Sequence, residues 1–213
     1  MSLAVKICGL KTPEAVDAVI AGKAAYAGFV FFDKSPRFLF PAAARALRMR
    51  LPPAIKAVAL LVDPTDEILA STIDGMAPDL LQLHGAESPA RVAAIRERFG
   101  LPVIKALPVA SKADLAAVTG FAAVADLLLF DAKPLPGDTR PGGNARAFDW
   151  GLLKGLAPGR PWLLAGGLTP DTLGAAIAAS GAPAVDVSSG VERAPGEKDP
   201  ALIRAFLAAA GRL

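Results

Sequence analysis

The chain has 213 residues, of which 53% are hydrophobic and 20% are charged; this composition is typical of a packed globular protein, and the length fits one α/β domain over residues 1–213. The net charge is +3, the basic residues are scattered, and one Tyr and two Trp could stack on bases. We therefore expect a small anionic substrate and no nucleic-acid partner. The single cysteine, the N-terminus without leader character and the lack of an apolar run of roughly 18 residues predict a cytoplasmic protein without membrane contact.

Short, almost continuously apolar runs recur along the chain. Runs of this kind, apolar on both faces, are typical of buried parallel strands. There are eight of them: Ala4–Cys8, Tyr26–Phe32, Ile55–Val62, Leu80–Leu83, Pro102–Leu107, Asp126–Asp131, Pro161–Ala165 and Ala184–Val187.

Helix start signals lie between several of these runs, where a capping residue precedes a proline at the first helical position. Four such pairs are present: Thr12-Pro13, Ser88-Pro89, Thr169-Pro170 and Asp199-Pro200. Eight strand–helix units predict a closed (β/α)8 TIM barrel, a single domain of the α/β class. An open, doubly wound sheet is the alternative.

The connection after the sixth strand is longer and richer in Gly and Pro than a minimal loop. It runs from Lys133 to Gly143. Loops of this length in compact domains are usually functional, so we expect a lid over the site.

Two donor-rich turns follow the seventh and eighth strands, where barrel enzymes often hold phosphate. The first contains Gly166 and Gly167, and the second contains Ser188, Ser189 and Gly190. Glycines let backbone N–H groups approach an anion, and serine hydroxyls add donors. The alternative is that both segments are only tight turns into helices, but their occurrence on consecutive closing strands favours a phosphate site.

The only cysteine, Cys8, and the acidic residue Asp131 each end a predicted strand, where barrel active sites lie. Cys8 could equally be a small buried core residue, as free cysteines usually are. Asp131 shares a strand face with Leu127 and Leu129 and therefore points to the barrel mouth; its alternative role is a helix cap. Position alone leaves both alternatives open.

Other polar residues lie near the same strand ends. Arg37 follows the second strand, and a guanidinium at the barrel mouth suits a carboxylate. His84 is the only histidine, which argues against a His-based zinc site, and no metal is expected. Asp63 is expected to cap the next helix. Side chains alternate between the two faces of a strand, and on this basis we expect four polar side chains to point into the barrel and form a layer below the pocket: Lys6, Gln82, Lys105 and Asp186.

Seven segments carry a resemblance to a known family. They are Lys6-Ile7-Cys8-Gly9, Ser35-Pro36-Arg37, Gln82-Leu83-His84-Gly85, Gly142-Gly143 followed by Phe148-Asp149-Trp150, Ala165-Gly166-Gly167-Leu168, Asp186-Val187-Ser188-Ser189-Gly190-Val191-Glu192 and Pro195-Gly196-Glu197-Lys198-Asp199. Together they closely resemble the phosphoribosylanthranilate isomerase family of tryptophan biosynthesis, in the same order and over nearly the whole chain.

The resemblance implies a reaction and a set of roles. The family converts N-(5′-phosphoribosyl)anthranilate to 1-(2-carboxyphenylamino)-1-deoxyribulose 5-phosphate by an Amadori rearrangement, the third step from chorismate to tryptophan. It implies Cys8 as general base, Asp131 as general acid and Arg37 as the ligand of the anthranilate carboxylate. The phosphate is expected on Gly166, Gly167, Ser188, Ser189 and Gly190.

The resemblance also implies that no cofactor is needed, because the iminium nitrogen formed in the reaction accepts the electrons. It leaves the assembly open between a monomer and a homodimer. Ala145 stands where the family usually has a loop glycine. Two alternatives are another barrel acting on a phosphorylated sugar, such as indole-glycerol-phosphate synthase, and a phosphate-binding barrel without activity.

Overall fold

The computed structural model describes residues 3–138, 140–143 and 146–213. In this part of the chain, eight parallel strands pair in sequence order, and β1 pairs with β8 to close a barrel. The predicted closed barrel is confirmed, and the open sheet is wrong. The strands are β1 (Ala4–Cys8), β2 (Tyr26–Val30), β3 (Lys56–Leu61), β4 (Leu80–Leu83), β5 (Val103–Val109), β6 (Leu127–Ala132), β7 (Trp162–Leu164) and β8 (Ala184–Val187).

The helices surround the barrel, and three of the predicted start signals are confirmed. The side chains of Thr12, Ser88 and Asp199 accept hydrogen bonds from backbone N–H groups in the turns that follow them. The helices are α1 (Pro13–Ala21), α2 (Pro41–Arg48), α3 (Asp66–Met76), α4 (Pro89–Phe99), α5 (Val118–Ala122), α6 (Leu173–Ser180) and α7 (Pro200–Ala210).

Two helix predictions are wrong. The helix expected to begin at Thr169-Pro170 begins at Leu173. Thr169 still accepts from the N–H of Thr172 as a capping residue does, and its carbonyl accepts from the N–H of Leu173, so a capped turn leads into the helix. After β6, the described residues contain a 3-10 helix, Trp150–Leu153, in place of an α-helix. The long connection therefore replaces one helix of the regular pattern.

The core has an outer layer between strands and helices and an inner cluster within the barrel. Lys6, Gln82 and Asp186 are buried on inward positions next to this cluster, as predicted. Lys105 is not among them, because its strand neighbours Ile104 and Ala106 belong to the inner cluster and Lys105 therefore points outward. The inner cluster consists of Val58, Leu80, Ile104, Ala106, Leu129, Leu163 and Ala165.

A small antiparallel hairpin follows β8. It consists of β9 (Glu192–Ala194) and β10 (Glu197–Lys198) and leads directly into α7. The hairpin turns two charged side chains, Glu192 and Lys198, back into the buried interior. Among the helices of the described ranges, none combines the length and the apolar character that crossing a bilayer requires.

Candidate active site

The predicted site residues meet at the carboxyl end of the barrel. Cys8 ends β1, Asp131 lies near the end of β6, and Arg37 follows β2; all three are buried. Cys8 packs against Val30 and Leu60, so its thiol borders an apolar wall of the pocket. The barrel thus brings together residues that are far apart in the sequence.

The surroundings of Cys8 contain a buried ion pair. The Lys6 ammonium lies 3.0 Å from the Asp186 carboxylate across the pairing of β1 with β8. Burial raises the pKa of the Cys8 thiol, and the positive charge of Lys6 opposes that rise. Burial alone would lower the pKa of Lys6, but Asp186 and Cys8 together outweigh it and the pKa is raised, so Lys6 stays protonated.

Asp131 faces the only histidine. Its Oδ2 lies 3.4 Å from Nε2 of His84, and Nδ1 of His84 lies 3.0 Å from the amide nitrogen of Gln82. The other carboxylate oxygen accepts from the N–H of Ala132 over 2.8 Å. The alternative role of Asp131 as a helix cap is wrong, since Asp149 caps the 3-10 helix that follows.

Arg37 is held by a carboxylate that the sequence argument did not assign. Its Nε and Nη2 donate to the two oxygens of Glu192 over 2.7 and 2.8 Å, and both side chains are buried. Nη2 also reaches the carbonyl of Gly143 over 3.3 Å. Among the described residues, Nη1 has no hydrogen-bond partner, so it remains available to a ligand carboxylate.

Lys198 completes this ionic group. Its ammonium donates to Glu192 over 2.5 Å and to the carbonyl of Ser188 over 2.9 Å. Burial lowers the pKa of Lys198 to about 8, although Glu192 opposes this. Burial would raise the pKa of Glu192, but the hydrogen bond from Arg37 and the charge of Lys198 outweigh it and the pKa is lowered. The carboxylate therefore stays ionised and fixes both cations.

The two predicted phosphate turns carry unused backbone donors. Gly166 and Gly167 have φ values of +85° and +69°, which glycine adopts without strain. The N–H groups of Gly166, Gly167, Ser189 and Gly190 donate none of the hydrogen bonds found among the described residues. Unpaired N–H groups in successive turns form an anion site.

Close packing explains two of these glycines. A Cβ on Gly167 would lie 2.5 Å from the Cβ of Ala147, and a Cβ on Gly190 would overlap the carbonyl oxygen of Leu168. The Ser188 hydroxyl has other partners in this structure: it donates to the Cys8 carbonyl over 3.1 Å and accepts from Lys198 over 3.2 Å. The backbone, more than this hydroxyl, offers the donors.

Gly142 and Gly143 lie over the site. They line two narrow cavities of about 40 and 50 Å³, of which the first borders Gly166 and Gly167 and the second borders Cys8 and Arg37. Ligand sites usually measure roughly 300–1,000 Å³. A third cavity, of about 800 Å³, borders Asp131 and His84 beside them. The predicted lid therefore covers the side of the site that contains Cys8 and the turns after β7 and β8, and this side must widen to hold a substrate. Thr139, Asn144 and Ala145 lie outside the described residues, and so does the departure from the family's loop glycine at Ala145.

One further prediction concerns Asp63, which lies next to the site. Asp63 does not cap α3, because Thr65 accepts from the N–H of Ile68 and takes that role; Asp63 accepts from the N–H of Ala86 instead. Among the residues that the structure describes, no group of three His, Cys, Asp or Glu side chains is placed to hold a metal ion.

Glu192 and Lys198 are part of the site, but no role for either of them was predicted from the sequence, although both lie within motifs of the resemblance. Their signal was present, since both are charged residues next to donor-rich turns of the eighth strand. Their burial depends on the hairpin that folds them inward. The local sequence pattern does not predict that a hairpin turns these two side chains towards the interior.

Fold and site define the class of protein: a (β/α)8-barrel enzyme whose pocket suits a small phosphorylated ligand. The family follows from similarity to known proteins. The protein-family model for N-(5'phosphoribosyl)anthranilate (PRA) isomerase matches residues 5–209 of this chain. The chain therefore belongs to the N-(5'-phosphoribosyl)anthranilate isomerase family, and the predicted family is confirmed.

Individual proteins similar to this chain carry the name of the same family. The chain is 55% identical over 209 residues to the N-(5'-phosphoribosyl)anthranilate isomerase of Azorhizobium caulinodans, covering 98% of this chain and 92% of the relative. Its fold matches the phosphoribosyl anthranilate isomerase of Thermotoga maritima with a TM-score of 0.88 and 33% identity, over 99% of this chain and 100% of that one. Another structure of a phosphoribosyl anthranilate isomerase is a complex with reduced 1-(o-carboxyphenylamino)-1-deoxyribulose 5-phosphate. It matches this chain with a TM-score of 0.84 and 32% identity, over 99% of this chain and 100% of that one.

Proposed function

We propose that this chain converts N-(5′-phosphoribosyl)anthranilate to 1-(2-carboxyphenylamino)-1-deoxyribulose 5-phosphate, with Asp131 as general acid and Cys8 as general base. The observation that carries the proposal is that both groups lie at the mouth of one barrel, beside unpaired N–H groups after β7 and β8. The shared family of the relatives supports the reaction itself.

The acid acts first. Asp131 gives its proton to the oxygen of the ribose ring, the bond from that oxygen to C1′ breaks, and the anilino nitrogen donates its electron pair to form an iminium. This role requires Asp131 to hold a proton when the substrate is bound. His84, 3.4 Å from Asp131, contacts the carboxyl directly and can steer the orientation of its oxygens.

The base acts second. The Cys8 thiolate takes the proton from C2′, the electron pair of that bond forms the C1′–C2′ double bond, and the iminium nitrogen becomes neutral. The resulting enolamine gains a proton at C1′ and loses the proton of its C2′ hydroxyl, and the C2′ oxygen becomes the ketone. C1′ is reduced and C2′ is oxidised within one molecule, so the rearrangement balances without an external oxidant or reductant.

Binding positions the reacting atoms. The N–H groups of Gly166, Gly167, Ser189 and Gly190, together with Ser188, are proposed to hold the phosphate. Nη1 of Arg37 is proposed to take the anthranilate carboxylate, while Glu192 fixes the plane of the guanidinium. The apolar side chains beside Cys8 suit the aromatic ring.

The proposal extends to the location and the domain organisation of the chain. The single cysteine fits a reducing compartment, and on this ground we place the chain in the cytoplasm, as one barrel domain over residues 1–213.

The test is turnover by the purified protein. Phosphoribosylanthranilate is generated in situ, and loss of its anthranilate fluorescence is followed together with binding of the reduced product analogue. Turnover at enzymatic rates supports the proposal. Tight binding of the analogue without turnover would mean that the barrel is a binding protein, and neither would reject the substrate assignment.

A further inference from the structure

We propose that Lys6 is a positioning residue for this reaction: its buried ammonium stabilises the thiolate of Cys8 and thereby makes that thiol a usable base. The inference rests on the base role proposed for Cys8. It concerns a side chain that the mechanism above does not use and that lies too deep to contact the substrate.

The geometry of β1 brings the two groups together. Lys6 and Cys8 are successive inward residues of one strand, and Gly28 of β2 pairs with Cys8. A Cβ on Gly28 would lie 3.1 Å from the Cys8 sulfur and 3.1 Å from the Lys6 nitrogen. The ammonium and the thiol therefore share the space that this glycine leaves open.

Lys6 acts as a fixed charge and not as a base. It is fully buried and pairs with Asp186 at 3.0 Å. Because Asp186 raises the pKa of Lys6 against the effect of burial, the ammonium keeps its proton at neutral pH. Lys6 also lines none of the cavities formed by the described residues around Cys8 and Asp131, so it can influence the reaction only through Cys8.

The charges that face Cys8 come from three elements. Burial is the strongest influence and raises the pKa of the thiol. Lys6 on β1 and Lys198 on β10 lower this pKa, whereas Asp186 on β8 raises it. Lys6 is the larger of the two opposing charges. When Cys8 ionises, its proton leaves to solvent and Lys6 retains its own, so the thiolate gains a neighbouring cation without a proton transfer between them.

The single cysteine makes a direct test possible. We would titrate the thiolate absorbance of the free protein in the ultraviolet, with Cys8→Ser subtracted to remove the Tyr26 signal. The variants are Lys6→Met, which removes the ammonium, and Lys6→Met with Asp186→Asn, which removes the whole pair. The second variant avoids an unpaired buried carboxylate and carries the test if the first does not fold.

Lys105→Met is the matched control. Lys105 is a second buried lysine in the same barrel, paired at 2.7 Å with Glu87, but it points away from the barrel interior. Its loss should cost stability to a similar degree as the loss of Lys6. It should leave the Cys8 titration where it is in the wild type.

We expect Lys6→Met to raise the thiol pKa by about one unit or more, with a smaller rise in the double variant. Since the thiolate fraction falls tenfold per unit, kcat/KM at neutral pH should fall about tenfold and recover as pH is raised. An unshifted thiol in both variants, or an equal shift in Lys105→Met, would overturn the coupling and leave the base role of Cys8 intact. A shifted thiol without a matching shift in the kcat/KM profile would overturn the base role instead.

Discussion

At the scale of single residues, the site depends on charged side chains that hold one another. Glu192 accepts from both Arg37 and Lys198, and it supplies the negative charge that each of these buried cations pairs with. A bidentate pair restricts the guanidinium to one plane. The free nitrogen of Arg37 therefore points in a direction that Glu192 sets.

Glu192→Gln should weaken substrate binding more than catalysis. The neutral amide can accept at only one atom, so Arg37 loses its fixed plane, and we expect KM to rise roughly tenfold with a much smaller change in kcat. Steady-state kinetics on the wild type, on Glu192→Gln and on a control variant checks this. Glu197→Gln is the matched control, because Glu197 lies on the same hairpin in an exposed pair with Arg193; an equal rise in KM there would contradict the account.

Lys198 should make stability depend on pH in a defined window. Its pKa is about 8 in the folded protein and 10.5 ordinarily, so between these values the unfolded chain holds a proton that the folded chain has lost. Stability then rises with pH, by at most about 1.4 kcal/mol per unit. The free energy of unfolding of the wild type, minus that of Lys198→Met, should therefore increase across this window.

Urea unfolding at several pH values measures that difference. Lys154→Met, at an exposed position, should show no such trend. A difference between the wild type and Lys198→Met that stays flat or falls with pH would show that Lys198 is not held in this way.

At the scale of elements, the loop after β6 controls access. A Cβ on Gly142 would lie 2.5 Å from Oδ2 of Asp131 and 2.6 Å from Nε2 of His84, so the closed loop has no room for a side chain there. The loop can lie against Asp131 and His84 only because this position is glycine.

Gly142→Ala should therefore impair closure. We expect kcat to fall about tenfold, because the loop can no longer cover the reacting groups, with the fold unchanged by circular dichroism. Leu135→Ala is the control on the same loop, where the side chain is 54% exposed. Activity of Gly142→Ala close to that of Leu135→Ala would mean that closure is not needed for turnover.

The elements also show what a sequence can predict. Almost continuous apolar runs predicted every strand because buried parallel strands are apolar on both faces, and proline after a capping residue predicted α1, α4 and α7. At Thr169 the same signal marks a capped turn, and the regular helix begins only at Leu173, after the Thr169 and Thr172 hydroxyls have each accepted from the backbone N–H of the other residue. The lid was found from its length and composition, whereas its closure over Asp131 depends on packing that no local pattern encodes.

At the scale of the whole molecule, barrel closure creates the site. Cys8, Asp131 and the phosphate turns could be predicted because all of them end strands, and strand ends converge at one face of a barrel. The pairs Lys6–Asp186 and Arg37–Glu192 could not, because their partners are 180 and 155 residues apart. Lys105 was assigned to the wrong side because the apolar run at β5 gives no sign of which face turns inward.

The central claim is that Asp131 and Cys8 are the acid and the base of one rearrangement. The most direct measurement is kcat for Asp131→Asn and Cys8→Ser, read from the loss of anthranilate fluorescence, with binding of the reduced product analogue measured beside it. The account predicts that each variant loses several orders of magnitude in kcat while still binding the analogue. A variant that retains kcat within about tenfold of the wild type would contradict the role assigned to that residue.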